Sequence, residues 1–336
     1  MQRIGFAMGY DGSIGIGQMA SFMSQCDERD YSMGFFSETI ELMRDAPTTL
    51  SAFSLATTKL TLGCTMIVRL RSPVVMAQTI ASLDESSGGR MTVATGACTR
   101  SHALRHSLTP EDPPTTLREW MESIRLLLSG ETVSYEGRFV QFTDVKLGWT
   151  PPRSHVPLYV PAISRTGLQL AGEIGDGVVL APVSSPEYSA NAISIVKQAV
   201  AEAGKNWDDF EVAQLIDCSI EDDKRAAYDA IRWEVATNFN PIQIPFVSEP
   251  KMRVGEPHIS TEDLSRYEQA YASGGDEGLV AAMPDSYLEA TTACGNPEEV
   301  VEKVEEYRAA GVKLPMVRAA AKHQIIPLIE LFSPTS

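Results

Sequence analysis

The side chains able to do chemistry in this chain are few and scattered. His102 and His106 stand four apart, a spacing that puts both on one face of a helix, where a metal can be gripped. No third ligand stands at a telling distance, so no metal is expected. His102 then reads either as a contact to a substrate or cofactor or as a plain surface histidine. The five cysteines, Cys26, Cys64, Cys98, Cys218 and Cys294, form no CxxC pair, which argues against a zinc cage or a disulfide framework. Cys64 and Cys98 close two predicted strands, but a nucleophilic thiol needs a base beside it and none is evident, so packing is the expectation. Glu38 offers a carboxylate either for proton transfer or for hydrogen bonds to loop amides. The run Ala162-Ile163-Ser164-Arg165-Thr166 joins a strand to a helix, so its backbone N–H groups face an anion site, with two hydroxyls and a guanidinium alongside. The other reading of this run is that Ser164 simply caps the helix and Arg165 lies in solvent. Arg69 and Arg71 fit either an anion contact or a solvated loop.

Positioning these groups falls to a strand–loop–helix rhythm. Strands are expected at residues 3–8, 33–37, 60–67, 91–95, 158–160, 178–180, 210–216 and 313–318. Helices follow nearly all of them: Ser72-Pro73 is a serine cap with proline in the first turn, and Asn296-Pro297-Glu298-Glu299 is a capping box. A hairpin is expected from Thr132–Tyr135 and Arg138–Phe142, with Glu136-Gly137 as its turn. Pro315 inside the last strand suggests a bulge. The rhythm lapses over residues 240–285, read as an insertion with short helices before the last strand. Eight strands in this order fit a doubly wound sheet or a closed (β/α)8 barrel, both α/β folds with parallel strands. The absence of G-x-G-x-x-G after the first strand weakens the dinucleotide-sheet reading.

The 336 residues suit one barrel domain spanning 1–336 with that insertion inside it. Lys and Arg number 28 against 44 Asp and Glu, and the resulting charge of −16 argues against broad nucleic-acid binding. The start lacks a signal-peptide pattern and no apolar run is long enough to cross a bilayer, so a cytoplasmic protein with no membrane partner is expected.

Three stretches resemble the bacterial luciferase-like superfamily of flavin and deazaflavin enzymes. They are Leu62–Ile67 through Ser72-Pro73 to Gln78, the segment Leu83-Asp84-Glu85-Ser86-Ser87-Gly88-Gly89-Arg90, and the run from the 134–138 hairpin through Pro157–Val160 to Ala171-Gly172-Glu173-Ile174-Gly175-Asp176-Gly177. The likeness is closer to coenzyme F420-dependent oxidoreductases of the methylenetetrahydromethanopterin reductase type, with FMN-dependent monooxygenases and a catalytically silent flavin-binding barrel as alternatives. The resemblance implies a TIM barrel holding a tricyclic ring across its strand ends, hydride transfer to or from a small-molecule substrate, and a homodimer through the helices after strands two and three. It implies a cis peptide at Cys64–Thr65 backing the ring, and cofactor contacts from Cys64, Thr65, Gly96, Ala97, Ala162, Ser164, Arg165, Thr166, Ala181 and Pro182. Glu38 and Thr39 stand where related sugar-phosphate dehydrogenases carry Asp-His, and Thr99 stands where they carry a glutamate, which makes a sugar-phosphate substrate a poor fit. Met8, Tyr10 and His102 are the expected substrate-pocket residues, the barrel core being the other reading of Met8.

Overall fold

The computed structural model describes residues 3–9, 11–98, 100–109 and 111–333. Strands β1 (Gly5–Ala7), β2 (Met33–Phe36), β3 (Thr61–Ile67) and β4 (Met91–Gly96) come first, then a hairpin of β5 (Val133–Glu136) and β6 (Gln141–Val145). After them run β7 (Leu158–Ala162), β8 (Gly177–Leu180), β9 (Glu211–Ile220), β10 (Ala293–Gly295) and β11 (Leu314–Ala319). The order β9-β11-β1-β2-β3-β4-β7-β8, with β8 pairing back onto β9, closes an eight-stranded parallel barrel. The expected TIM barrel is therefore the fold, and the doubly wound sheet is excluded by the β8–β9 pairing at Gly177↔Glu211 through Leu180↔Gln214.

The helices sheathing the barrel are α1 (Ile16–Glu28), α2 (Ala46–Ala56), α3 (Pro73–Ser87), α4 (Arg100–Arg105), α5 (Pro113–Leu128), α6 (Arg165–Ile174), α7 (Pro186–Glu202) and α8 (Lys224–Thr237). The later ones are α9 (Glu249–Val254), α10 (Thr261–Ala282), α11 (Asp285–Thr291), α12 (Pro297–Ala309) and α13 (Ile325–Leu331). Alternation along each strand separates two cores. Ala7, Phe35, Ala94, Tyr159, Leu215 and Met316 fill the barrel interior. Phe6, Met8, Cys64, Met66, Val93 and Val317 pack outward against the helices. Local signals place the helices where the chain chemistry asks. The Ser72 side chain accepts the Val75 amide at the start of α3, Gly88 ends it at φ 68, and Asn296 and Glu299 complete the capping box of α12.

Two of the motifs carrying the family likeness, the Leu83–Arg90 and Ala171–Gly177 segments, are structural ones at the opposite end of the barrel from the mouth, the end where such features serve stability. Asp84, fully buried, takes two hydrogen bonds from Arg153 and one from the Met91 amide at 3.2 Å. Arg90 reaches the Leu60 carbonyl at 2.6 Å and Thr57 Oγ1 at 2.9 Å. Asp176 Oδ2 accepts the Leu158 amide at 2.8 Å and pairs with Arg125 at 2.8 Å.

Several local expectations need correction. Every described peptide bond is trans, Cys64–Thr65 included, because β3 runs unbroken beside β4 with Cys64↔Val93 and Thr65↔Ala94 in register. Pro315 sits opposite Gln214 with no register shift, so β11 has no bulge. The hairpin turns through Gly137–Val140 rather than at Glu136-Gly137, since Glu136 pairs with Gln141. The loop after β4 contains α4, and β10 is a ninth parallel strand that no expectation named.

Between β9 and β10 the chain forms its own apolar layer against α8. Phe239 lies 4.5 Å from Tyr267 and 5.2 Å from Tyr287, ring centre to ring centre, among Ile231, Val235 and Leu279. The segment is not all short helices, because α10 covers 22 residues, interrupted at Gly275 (φ 61, ψ −147). No helix among the described residues is long and apolar enough to cross a membrane.

Candidate active site

The C-terminal ends of β2, β3, β4 and β7 open onto a cavity of about 270 Å³ lined by Ser37, Glu38, Thr39, Ile40, Thr65, Met66, Ile67, Gly96, Cys98 and Pro161. Four expected residues thus come together: Glu38, Thr39, Thr65 and Gly96. A Cβ placed on Gly96 would meet only Pro161 Cγ, at 3.8 Å, so the wall there is flat and open. Cys98, just past Ala97, holds a left-handed φ of 63, an uncommon state for a side chain with a Cβ and one that gathers at functional sites.

Glu38 is the most firmly held group in the cavity. Its amide donates to Thr65 Oγ1 at 2.6 Å, its Oε2 accepts the Ile67 amide at 2.7 Å, and its Oε1 pairs with Arg71 at 2.8 Å. With 7% of its side chain exposed, the geometry favours a carboxylate that ties β2 to β3 over one that exchanges protons with a substrate. Arg71 also pairs with Asp45, and Arg69 is taken by Thr116 Oγ1 at 2.7 Å and the Glu111 carbonyl. Both arginines are therefore engaged within the protein, against their reading as an anion contact.

The expected anion site is the start of α6. Ser164 Oγ accepts the Gly167 amide at 3.2 Å, so the serine caps the helix. Arg165 and Thr166 are exposed, and as first-turn residues their amides have no acceptor inside the helix. Ala162 is buried beneath them, while Ala181 and Pro182 are half-buried at the end of β8. There Val183 takes φ 54, and the Lys251 ammonium, from α9, donates to the Pro182 carbonyl at 2.8 Å and the Val183 carbonyl at 2.6 Å.

Other expected residues lie elsewhere. Cys64 faces the helix layer because Thr65 takes the inward position of β3; its thiol is wholly buried, and that burial pushes its pKa up. Met8 is likewise core, 2% exposed. Tyr10 and Thr99 lie outside the described residues, as does the side chain of His102, whose backbone falls in α4. His106 sits 3.7 Å from Glu41, and no group of three His, Cys, Asp or Glu among the described residues could hold a metal.

One cluster at the mouth escaped sequence reasoning. Arg318 of β11 donates to Asp217 of β9 at 2.6 Å and pairs with Glu234 of α8 at 2.5 Å. The Arg318 and Asp217 side chains are 3% and 2% exposed. The available signal was a charged residue near the end of each of two apolar strands, in Leu-Ile-Asp-Cys and Met-Val-Arg-Ala.

A closed parallel barrel with an apolar cavity at the C-terminal ends of its strands is the arrangement of barrel enzymes. Residues 8–314 match the luciferase-like monooxygenase family, and the chain belongs to it. It is 31% identical over 269 residues to the 5,10-methylenetetrahydromethanopterin reductase of Archaeoglobus fulgidus, covering 79% of this chain and 77% of that one. It is 25% identical over 221 residues to the F420-dependent glucose-6-phosphate dehydrogenase of Microbacterium testaceum, covering 65% and 63%. The coenzyme F420-dependent tetrahydromethanopterin reductase of Methanopyrus kandleri has the same fold, with a TM-score of 0.84 at 24% identity over 99% of this chain and 98% of that one.

Proposed function

We propose that this chain transfers a hydride between the deazaflavin ring of coenzyme F420 and a small-molecule substrate. It is an F420-dependent oxidoreductase by kinship, and the 31% identity to a methylenetetrahydromethanopterin reductase is the observation that carries the reading. The residues present fit that cofactor. Ile40, Ile67 and Pro161 provide apolar walls for a flat ring, and the open side of Gly96 admits it. The free first-turn amides of α6, with Arg165 and Thr166, suit a phosphate. Bound there, F420 would supply a carbon centre that gives or accepts hydride and reacts poorly with oxygen. The chain's part is to hold ring and substrate in contact, which Thr65, Gly96 and Pro161 do by shaping the wall, while Glu38 and Arg71 keep the β2 and β3 ends in place.

Titrating the purified protein with F420 and with FMN tests this: tighter binding of F420 is expected, and preference for FMN would favour an oxygen-using monooxygenase. Binding of F420 with no turnover over a broad panel of acceptors would favour a silent barrel. Gly96→Val places two methyl groups in the cavity. It is expected to weaken F420 binding at least about tenfold, about 1.4 kcal/mol, while leaving the melting temperature close to wild type; unchanged affinity would move the ring elsewhere. A homodimer through α2 and α3 belongs to the same reading. Leu55 and Val75 support it by leaving large apolar side chains exposed on those helices, and the molar mass in solution tests it.

A further inference from the structure

We propose that Glu234 is the group that gives and takes the substrate proton, with Arg318 as its positioning residue. The assignment rests on the hydride-transfer reading and supplies the acid–base partner that Glu38 does not.

Glu234 reaches from α8 over the barrel rim to line a second cavity of about 410 Å³, together with Gly9, Asp11, Ile14, Ala320 and Lys322. That cavity opens at the ends of β1 and β11, and β1 pairs with β2, so the two cavities open at neighbouring strand ends on the same rim. One cavity is walled for a ring, and its neighbour is lined by charged groups suited to a polar reactant. The Glu234 side chain is 33% exposed, against 7% for Glu38, and its partner Arg318 is anchored at 3%. Arg318 cannot swing away, because its Nε is held by Asp217 at 2.6 Å across neighbouring strands paired at Arg318↔Asp217. Asp217 Oδ2 is buried with no hydrogen-bond partner. Two carboxylates therefore share one guanidinium, and a single added proton neutralises the cluster.

The charged groups facing Glu234 are Asp217 from β9, Arg318 from β11, and Asp11 and Lys322 from the loops after β1 and β11. Burial pushes the Glu234 carboxyl above the ordinary carboxylate range; Arg318 pulls it back and Asp217 pushes it further up. In the reducing direction, reduced F420 bound at the ring cavity would supply the hydride, with both electrons, to the carbon of a C=N or C=O bond. The Glu234 O–H bond breaks as its proton bonds to the nitrogen or oxygen, and the carboxylate left behind stays on Arg318. Solvent at the exposed edge restores the proton, and oxidation runs the same transfers in reverse.

Wild type, Glu234→Gln and Arg318→Lys are compared in three measurements. The first is the infrared signal of a protonated carboxyl, titrated upward from the ordinary carboxylate range without cofactor or substrate; wild type should show a titrating band that Glu234→Gln lacks. The second is F420 affinity, which should be unchanged in Glu234→Gln. The third is turnover of reduced F420 with methylenetetrahydromethanopterin and with simple ketones, which Glu234→Gln should lower about 100-fold or more. Its pH profile should lose the limb that Arg318→Lys merely shifts. Identical infrared titrations in wild type and Glu234→Gln, or the same pH limb in both, would overturn the assignment alone. Failure of wild type to bind F420 would overturn the cofactor reading and this assignment together.

Discussion

Arg318→Ala is expected to cost roughly 3–5 kcal/mol of folding stability, seen as a large fall in the urea midpoint at neutral pH. Asp217 and Arg318 face each other with 2% and 3% of their side chains exposed, so removing the cation leaves a carboxylate where water cannot reach it. Surface pairs behave differently: Arg225–Asp229, at 64% and 53% exposure, should be nearly silent on the same measurement. The double variant Asp217→Leu with Arg318→Met removes both buried charges and should recover most of the loss, because apolar replacement of a whole buried pair is often neutral. A midpoint for Arg318→Ala within experimental error of wild type would show that the pair is hydrated in solution.

The second large effect is a pH dependence at Lys251. This ammonium is 1% exposed, and burial lowers its pKa from 10.5 to about 8, with Glu256 and Asp217 pulling it partly back. Folded chains give up that proton near pH 8 while unfolded chains keep it to about 10.5, so between these values the unfolded state binds more protons. Stability from this group therefore rises with pH across that window, by a total on the order of 3 kcal/mol. The buried tyrosines and cysteines titrate in the same range, so the quantity to follow is the difference between wild type and Lys251→Met. Wild type should gain on the variant as pH rises from 8 to 10.5; a flat difference would mean that the amine is solvated. The effect bears on function because the same amine holds the carbonyls of Pro182 and Val183 beside the expected cofactor tail.

Much of the scaffold was legible in the chain. Ser72-Pro73 and Asn296-Pro297 started helices where they stand because capping is local chemistry, settled within three residues. The hairpin was legible for the same reason, although its turn was misplaced by the choice of pairing register. Ser164 caps the start of α6 where the strand-to-helix junction predicts it, and Arg165 lies exposed, which is the plain-cap reading of that segment. For Cys64 and Met8 the packing reading holds over the pocket one, because strand alternation decides which side chains face inward, and its phase depends on how the barrel is paired.

By itself, the sequence determined the alternation of strands and helices, the caps that begin the helices, and the Leu83–Arg90 motif that marks the family. Only the tertiary structure decided that the sheet closes, that Glu38 is bound to Arg71 and the Ile67 amide, and that Glu234, Arg318 and Asp217 meet at the rim. The partners of Arg318 lie 101 and 84 positions away along the chain. Local propensity acts over a helical turn, whereas this contact exists only once closure brings β9 and β11 side by side and lays α8 over their ends.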